Sequence, residues 1–157
     1  MTATKVIGES VKQTNRTFIK SYVNDYADAI TENYRRYHIN TLNGNLHGNY
    51  PEYAKQQLAE IENGTANLMK FKVYTGKRYY KIVQQEFETW EKSKYYGQYR
   101  DGSVHAFVDK KTGQVFKPAS WSAPAKHVRF DLRIINNREF LFNPEFTGWA
   151  GGYLYMR

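Results

Sequence analysis

The sequence predicts an α+β fold in which N-terminal helices pack on a C-terminal antiparallel β-sheet. In the first part of the chain, apolar residues recur every three or four positions, as on one side of an amphipathic helix. Beyond about residue 68 they alternate with polar residues, as in half-buried strands. A length of 157 residues suffices for one domain with a real core. We therefore expect a single domain, 1–157, that is mainly helical over 1–67 and mainly β over 68–157.

Two helices are predicted ahead of the sheet. The first runs from about Thr14 to His38. Its apolar stripe consists of Phe18, Ile19, Tyr22, Val23, Tyr26, Ala27, Ile30 and Tyr34. The segment His38–Asn49 is rich in Asn and Gly and is expected to form a loop. Pro51 suits the first position of a second helix, and Gly64 suits the residue that follows its end.

The sheet is predicted to begin with a hairpin. Met69–Thr75 and Arg78–Trp90 both alternate in polarity, and Gly76-Lys77 suits a tight turn between them. Tyr80 is expected to point toward the core. The outer side of this hairpin would then carry basic side chains, among them Lys70, Lys72 and Lys81.

A second hairpin has the clearest turn signal in the chain. Ser103–Asp109 and Gln114–Pro118 read as strands, and Asp109–Gly113 has the residues of a type I turn followed by a left-handed Gly. The charged segment Glu91–Gly102 before it is expected to be a loop. Two further strands are predicted downstream, His127–Ile135 and the closing strand Gly152–Met156.

Charge is distributed unevenly along the chain. The formal net charge is +8, and residues 1–70 hold 8 basic and 7 acidic side chains, so almost all of the excess falls in the β part. Such an excess favours phosphates or acidic protein surfaces as partners. The absence of Cys excludes disulfides and thiolate chemistry. No apolar run approaches the roughly 20 residues of a membrane span, so we expect no membrane partner.

Signals for catalysis or metal binding are weak. The four His residues show no metal-ligand spacing, although His105 and His127 could meet in space beside Asp109 or Asp131. The more common arrangement is that His105 packs or hydrogen-bonds within the sheet. We therefore expect no metal, no cofactor and no enzymatic activity.

Two other polar patterns also fit structural roles. Ser120 and Ser122 are typical of a turn rather than of a nucleophile, because no GxSxG motif surrounds them. The glycines near Trp149, namely Gly148, Gly151 and Gly152, do not match a phosphate-binding loop. We interpret them as room for a close approach of the last strand to its neighbour.

The strongest functional signal is the mixture of basic and aromatic residues in two clusters. The first cluster contains Lys77, Arg78, Tyr79, Tyr80 and Lys81, of which Lys77, Arg78 and Tyr80 are the candidate binding residues. The second contains the candidates Lys117, Trp121, Lys126 and Arg129. Sheets that expose aromatic rings between Lys and Arg bind single strands by stacking bases and neutralising phosphates. The same residues would suit a nucleotide or an acidic protein surface. Alternatively, they form a solvated face with Trp121 buried as a structural plug.

Three segments resemble a known family. KRYYKIV (77–83), SVHAFVDKKTGQVFKPASWSAPAK (103–126) and WAGGYLY (149–155), in this order, are similar to a family of small uncharacterised proteins of tailed bacteriophages, notably marine phages. The resemblance covers roughly the second half of the chain. Since this family has no known activity, the resemblance implies an origin and assigns no catalytic or binding residue.

These observations lead to two functional hypotheses. In the first, the protein is a non-catalytic phage accessory protein that binds nucleic acid or a nucleotide through the basic, aromatic sheet face. In the second, it is a virion structural component, such as a capsid or tail decoration protein, which packs through Tyr-rich surfaces and a long helix and can form a homo-oligomer. The expected location is the cytoplasm of the infected bacterial host or the virion.

Overall fold

A computed structural model describes the backbone of residues 2–155 and the side chains of residues 18–155. The predicted α+β class is confirmed, because helices precede and cover a five-stranded antiparallel sheet. The elements in chain order are α1 (Thr2–Asn45), α2 (Pro51–Asn63), β1 (Lys70–Thr75), β2 (Tyr79–Phe87), β3 (Tyr99–Asp109), β4 (Gln114–Phe116), β5 (Phe130–Asp131), α3 (Ile135–Leu141) and a 3-10 helix (Gly152–Leu154).

The sheet is a meander in which each strand pairs with the next, in the order β1-β2-β3-β4-β5. Directly paired residues point to the same side of a sheet. Tyr74 pairs with Lys81 and Lys72 pairs with Val83, so these side chains share the side that we call the outer face. Ile82 pairs with Ala106 on the opposite side, the inner face, which packs against α1.

The main core lies between α1 and the inner face. From α1 come Ile19, Val23, Tyr26, Ala27 and Ile30, and from the sheet come Phe71, Tyr80, Ile82, Ala106, Val108 and Val115. Tyr80 is only 4% exposed, which confirms that it points inward. Burial of a large apolar side chain stabilises a fold by roughly 1.5–3 kcal/mol, so this interface fixes the sheet against the helix.

Helix α1 is longer than its sequence pattern predicts. The predicted boundaries at Thr14 and His38 are wrong, since the helix extends from Thr2 to Asn45, into the segment expected to be a loop. Near the end of α1, Leu42 is buried, and α1 contacts α2, whose Ala54 is fully buried. Burial of a Leu outweighs the cost of about 1 kcal/mol for a Gly in a helix. The second helix starts at Pro51 as predicted.

The predicted turn between β3 and β4 is confirmed. Gly113 has φ 73°, and its N–H donates to the carbonyl of Asp109 at 2.9 Å. The Asp109 carboxylate accepts from the N–H groups of Lys111 and Thr112, which makes the turn self-contained. Strand β3 begins at Tyr99, so the predicted loop Glu91–Gly102 is shorter than expected.

The strand predicted over His127–Ile135 is wrong for most of its length. Only Phe130–Asp131 pairs with β4, and the chain then turns into α3. The N–H of Ile134 donates to the carbonyl of Asp131, and the Asp131 carboxylate accepts from both the N–H and the guanidinium of Arg133. These local hydrogen bonds close a turn at the point where the alternating pattern predicts extended backbone.

The predicted closing strand Gly152–Met156 is also wrong within the described residues, because Gly152–Leu154 forms a 3-10 helix. This turn directs Leu154 into the core and the Tyr153 hydroxyl toward Tyr26. The idea that glycines make room for a strand is therefore incorrect. Gly151 instead supplies a left-handed backbone, with φ 82°, ahead of the turn.

Candidate functional site

An open cavity of about 510 Å³ lies on the outer face, beside the turn between β1 and β2. Its charged and aromatic walls include Lys77, Arg78, Lys81, Asp101, Phe107 and Trp121. Three separate segments supply these residues: the β1–β2 hairpin, strand β3 and the loop that follows β4. Because three of these side chains are cationic and one is a carboxylate, the cavity carries a net positive charge.

The cations of this cavity have weak intramolecular partners. The Arg78 side chain is 75% exposed, its Nε lies 3.7 Å from Asp109 Oδ2, and its guanidinium lies over the Tyr79 ring. Lys77 is exposed, and Lys81 Nζ lies 4.3 Å from the centre of the Trp121 ring. Exposed ion pairs and cation–π contacts contribute about 1 kcal/mol or less each. An anionic ligand can therefore compete for these groups.

Trp121 sits on a stiff loop. The N–H of Ala125 donates to the carbonyl of Lys117 at 2.7 Å, and Pro118 forms a bridge with Pro124. At the tip, Ser120 Oγ accepts from the N–H groups of Ser122 and Ala123, which confirms the predicted turn role of Ser120. Trp121 is 47% exposed, so the interpretation of this ring as a buried plug is wrong.

The structure regroups the two predicted clusters. Lys77 and Arg78 of the first cluster meet Trp121 of the second at one cavity. Tyr80 lies in the core and does not reach this cavity, because neighbouring residues of a strand point to opposite faces.

The basic residues of the second cluster lie elsewhere. Lys117 Nζ lies 4.2 Å from the centre of the Tyr155 ring, beside a different cavity of about 300 Å³. Arg129 donates to the backbone carbonyls of Leu154, Lys126 and His127, at 2.7, 2.9 and 2.7 Å. Its guanidinium therefore fixes the chain end to this loop. Lys126 is exposed and is not among the residues that line the Trp121 cavity.

Two residues that line the cavity, Phe107 and Asp101, were not predicted from the sequence. The alternation of β3 could have revealed Phe107, since its neighbours Ala106 and Val108 both lie in the core. Asp101 precedes the segment predicted as a strand and therefore had no assigned face. Lys81 was correctly expected on the outer face, but its contact with Trp121 is a long-range contact that no local pattern encodes.

The outer face continues along β1 with two more cations above rings. Lys72 Nζ lies 4.9 Å from the centre of the Tyr74 ring, and Lys70 Nζ lies 4.0 Å from that of Tyr99. The Tyr74 hydroxyl donates to Asp101 at 2.8 Å, and this hydrogen bond raises the pKa of Tyr74. The Tyr99 hydroxyl donates to the carbonyl of Leu68 at 2.8 Å. Both rings are therefore held in place by their hydroxyl groups.

The inner face holds a buried polar chain. His105 Nε2 lies 2.7 Å from the Tyr153 hydroxyl, which lies 2.6 Å from the Tyr26 hydroxyl. Burial lowers the pKa of His105 to about 4 and raises the pKa of Tyr26 and Tyr153. His105 is therefore neutral at neutral pH and hydrogen-bonds within the core, as the more common arrangement predicted. The alternative pairing with His127 is wrong, since His127 is exposed.

Two properties of the described residues bear on the class of site. No group of three or more His, Asp or Glu side chains among them is arranged to hold a metal ion. None of the described helices is both long and apolar enough to cross a membrane.

Fold and site together define an α+β protein that presents a basic, aromatic sheet face. The chain belongs to a family of unknown function, DUF7717, whose sequence profile matches residues 6–156. The match includes the helical part of the chain as well as the β part. No curated protein and no solved structure matches the chain.

Proposed function

We propose that this protein binds nucleic acid or a nucleotide through the outer face, as a non-catalytic accessory protein of a phage. The observation that carries the proposal is the convergence of Lys77, Arg78 and Lys81 with the exposed Trp121 at one cavity. These groups come from segments far apart in sequence and lie close together only in the folded protein.

Each group has a role that its chemistry suits. A base that stacks on an aromatic ring gains about 1–3 kcal/mol, and Trp121 is held for this by its stiff loop. Lys81 Nζ lies over that ring, and because an exposed cation–π contact contributes only about 0.5–1 kcal/mol, this cation can leave the ring and neutralise the phosphate of the stacked nucleotide. Arg78 can exchange its long ion pair for a phosphate, which a guanidinium contacts with two parallel hydrogen bonds.

The proposed biological setting rests on the sequence resemblance. The resemblance of three segments to small proteins of tailed bacteriophages supports a phage origin and hence a role in the infected bacterial cell. We propose binding rather than catalysis because no nucleophile or metal-ligand motif is present, and because His105 is engaged in the core.

The test is a binding titration of the full chain with a fluorescent oligonucleotide at several salt concentrations. We expect affinity to fall steeply with salt, since binding releases counterions from phosphates. Trp121→Ala should weaken binding about tenfold or more through lost stacking. The matched control is Tyr53→Ala, which removes an exposed ring from α2 and should leave affinity unchanged. Equal affinities of the Trp121→Ala variant and the unaltered protein would refute this site.

A second candidate function is a virion structural component. It is favoured by exposed tyrosines on the helical part, Tyr37, Tyr50 and Tyr53, since Tyr is enriched in protein interfaces. Such a component should occur in purified particles at a fixed stoichiometry, which mass spectrometry measures. Its absence from particles would remove this candidate.

A further inference from the structure

The outer face carries three cation–ring pairs in a row. Lys81 lies over Trp121, Lys72 over Tyr74 and Lys70 over Tyr99, with distances of 4.3, 4.9 and 4.0 Å to the ring centres. We call these six residues the outer track. Register places all three lysines on one face, because Lys70, Lys72 and Tyr74 pair in turn with Gln85, Val83 and Lys81.

The backbone positions that carry the lysines of the track are regularly spaced along the strands. Lys70 and Lys72 are two positions apart on β1, and Lys81 is paired with Tyr74, the next outward position. A strand rises about 3.3 Å per residue, so the backbone positions of Lys70, Lys72 and Tyr74 follow one another along β1 at steps of about 6.6 Å. Successive phosphates of an extended nucleic-acid strand have a similar separation. A mononucleotide can engage only one end of such a row.

The chemistry of the track favours unpaired bases. Each lysine is accompanied by an aromatic ring, and rings bind bases through their faces, which a duplex keeps stacked on one another. The rings of Tyr74 and Tyr99 are also fixed by their hydroxyl hydrogen bonds, so little side-chain freedom is lost when a base stacks there.

One carboxylate lies beside the track. Asp101 accepts hydrogen bonds from the Tyr74 hydroxyl and from Gln85 Nε2, both at 2.8 Å, so donors already surround its charge. Glu86 accepts a hydrogen bond from Gln84 Nε2, so these two side chains lie on the same side of β2. Since Gln85 between them pairs with Lys70 on the outer face, Glu86 lies on the inner side. The row of lysines therefore keeps a net positive charge.

We propose, resting on the proposed function, that the ligand is single-stranded nucleic acid. The strand lies along β1 and β2 from Trp121 to Tyr99 and contacts the protein through about three successive nucleotides, one for each cation–ring pair. The Trp121 cavity is then one end of an extended site.

The test compares ligand lengths on the full chain. The probes are thymidine monophosphate, oligothymidylates of two, four and eight residues, an oligouridylate of eight residues and a duplex of eight base pairs. We expect affinity to rise at least about tenfold between the mononucleotide and the four-residue probe and then to level off once the track is filled. Tight binding of either eight-residue single strand, with weaker binding of the mononucleotide and the duplex, supports the proposal, and the tighter of the two single strands identifies the nucleic acid as DNA or RNA.

Matched variants test the position of the track. Lys70→Ala with Lys72→Ala should weaken binding of the eight-residue strand about tenfold and reduce the slope of log affinity against log salt by about 1.4, the value for two lost phosphate contacts. Binding of the mononucleotide should not change. Lys20→Ala with Lys55→Ala removes the same charge from exposed positions on the helices and should have little effect. Lys70→Gln with Lys72→Gln, which keeps the aliphatic stems, should reproduce the loss.

The outcomes separate the two proposals. If the mononucleotide or the duplex binds as tightly as the eight-residue strand, or if the Lys70 and Lys72 variants leave binding unchanged, the track is refuted while the Trp121 site stands. If none of the probes binds even at low salt, the proposed function itself is refuted.

Discussion

The two faces of the sheet use polar side chains in opposite ways. On the inner face, His105, Tyr153 and Tyr26 hydrogen-bond to one another inside the core, at 2.7 and 2.6 Å. On the outer face, Lys70, Lys72 and Lys81 lie over rings near the surface, at 4.0 to 4.9 Å from the ring centres. The same strands form both faces. Because successive side chains point to opposite faces, the polar groups that stabilise the core are separated from those proposed to bind a ligand.

The difference lies in what each contact costs to break. A buried polar group that loses its partner costs about 1–3 kcal/mol, because no water replaces the lost hydrogen bond. An exposed cation–π contact contributes only about 0.5–1 kcal/mol, and a ligand can replace it. We therefore expect inner-face substitutions to change stability and outer-face substitutions to change binding. Each prediction below tests this separation.

The largest effect is expected for Tyr153→Phe. This substitution removes the hydroxyl that joins His105 to Tyr26, so two buried groups lose a partner. The free energy of unfolding should fall by about 2–4 kcal/mol, measured by urea denaturation. Affinity for the eight-residue single strand should not change.

The control for this prediction is Tyr155→Phe, which removes a hydroxyl from an exposed ring two residues along the chain. Its stability should stay within about 0.5 kcal/mol of the unaltered protein. Equal stability of the two variants would show that the buried chain of hydroxyl groups does not hold the fold.

The second effect concerns pH. The pKa of His105 is lowered by burial from 6.5 to about 4, so between these values the unfolded chain binds a proton that the folded protein does not. Stability is therefore unaffected by this group above about pH 6.5 and falls as the pH drops toward 4, by up to about 3 kcal/mol. The free energy of unfolding, measured from pH 7 to about 4.5, should show this loss.

Two variants isolate the contribution of His105. His105→Gln should lose stability at neutral pH but should show a fall with pH that is smaller by about 2–3 kcal/mol. His127→Gln changes an exposed His and should keep the full pH dependence. An identical pH profile for the His105→Gln variant and the unaltered protein would contradict the assignment of the titration to the inner face.

The sequence predicts those parts of the fold that depend on local chemistry. The turn Asp109–Gly113 was predicted because its hydrogen bonds are made within the segment itself. The start of α2 at Pro51 and the inward orientation of Tyr80 follow from the same kind of local rule. Such features do not need a distant partner, so single-sequence reasoning can reach them.

The parts that failed depend on contacts far along the chain. Helix α1 continues to Asn45 although its last residues have low helix propensity, because the fold buries Leu42 and α1 contacts α2. The 3-10 turn at Gly152–Leu154 replaces a strand because the Tyr153 hydroxyl reaches Tyr26, 127 positions earlier.

The candidate site shows the same division. Its residue types were predicted, since Lys77, Arg78 and Trp121 all line the cavity. The grouping of these residues was not predicted. Trp121 contacts Lys81 of β2, whereas Lys117 and Arg129, which are closer to Trp121 in sequence, contact Tyr155 and the carbonyl of Leu154. The side-chain contact between Lys81 of β2 and Trp121 of the loop after β4 decides this, and no spacing within either segment encodes it.

The smallest effect is expected at the glycines near the chain end, and it tests whether the two faces are independent. Gly151 has a left-handed backbone, with φ 82°, and a Cβ there would meet His105 Cε1 at an ordinary contact distance of 3.7 Å. The strain of Gly151→Ala therefore comes from the backbone and should cost about 1–2 kcal/mol. Gly148 lacks a left-handed φ and has open space around it, so Gly148→Ala should change stability by at most about 0.5–1 kcal/mol.

Urea denaturation and binding of the eight-residue single strand, measured on both glycine variants, complete the test. Because the Cβ added at Gly151 would meet His105 on the inner face, the strain should reach the buried polar chain and leave Lys70, Lys72 and Lys81 in place. Of the two glycine variants, only Gly151→Ala should then combine a lower free energy of unfolding with an unchanged affinity for the single strand. A loss of affinity in that variant would mean that the inner face positions the outer one, and the separation of stability from binding by strand alternation would have to be abandoned.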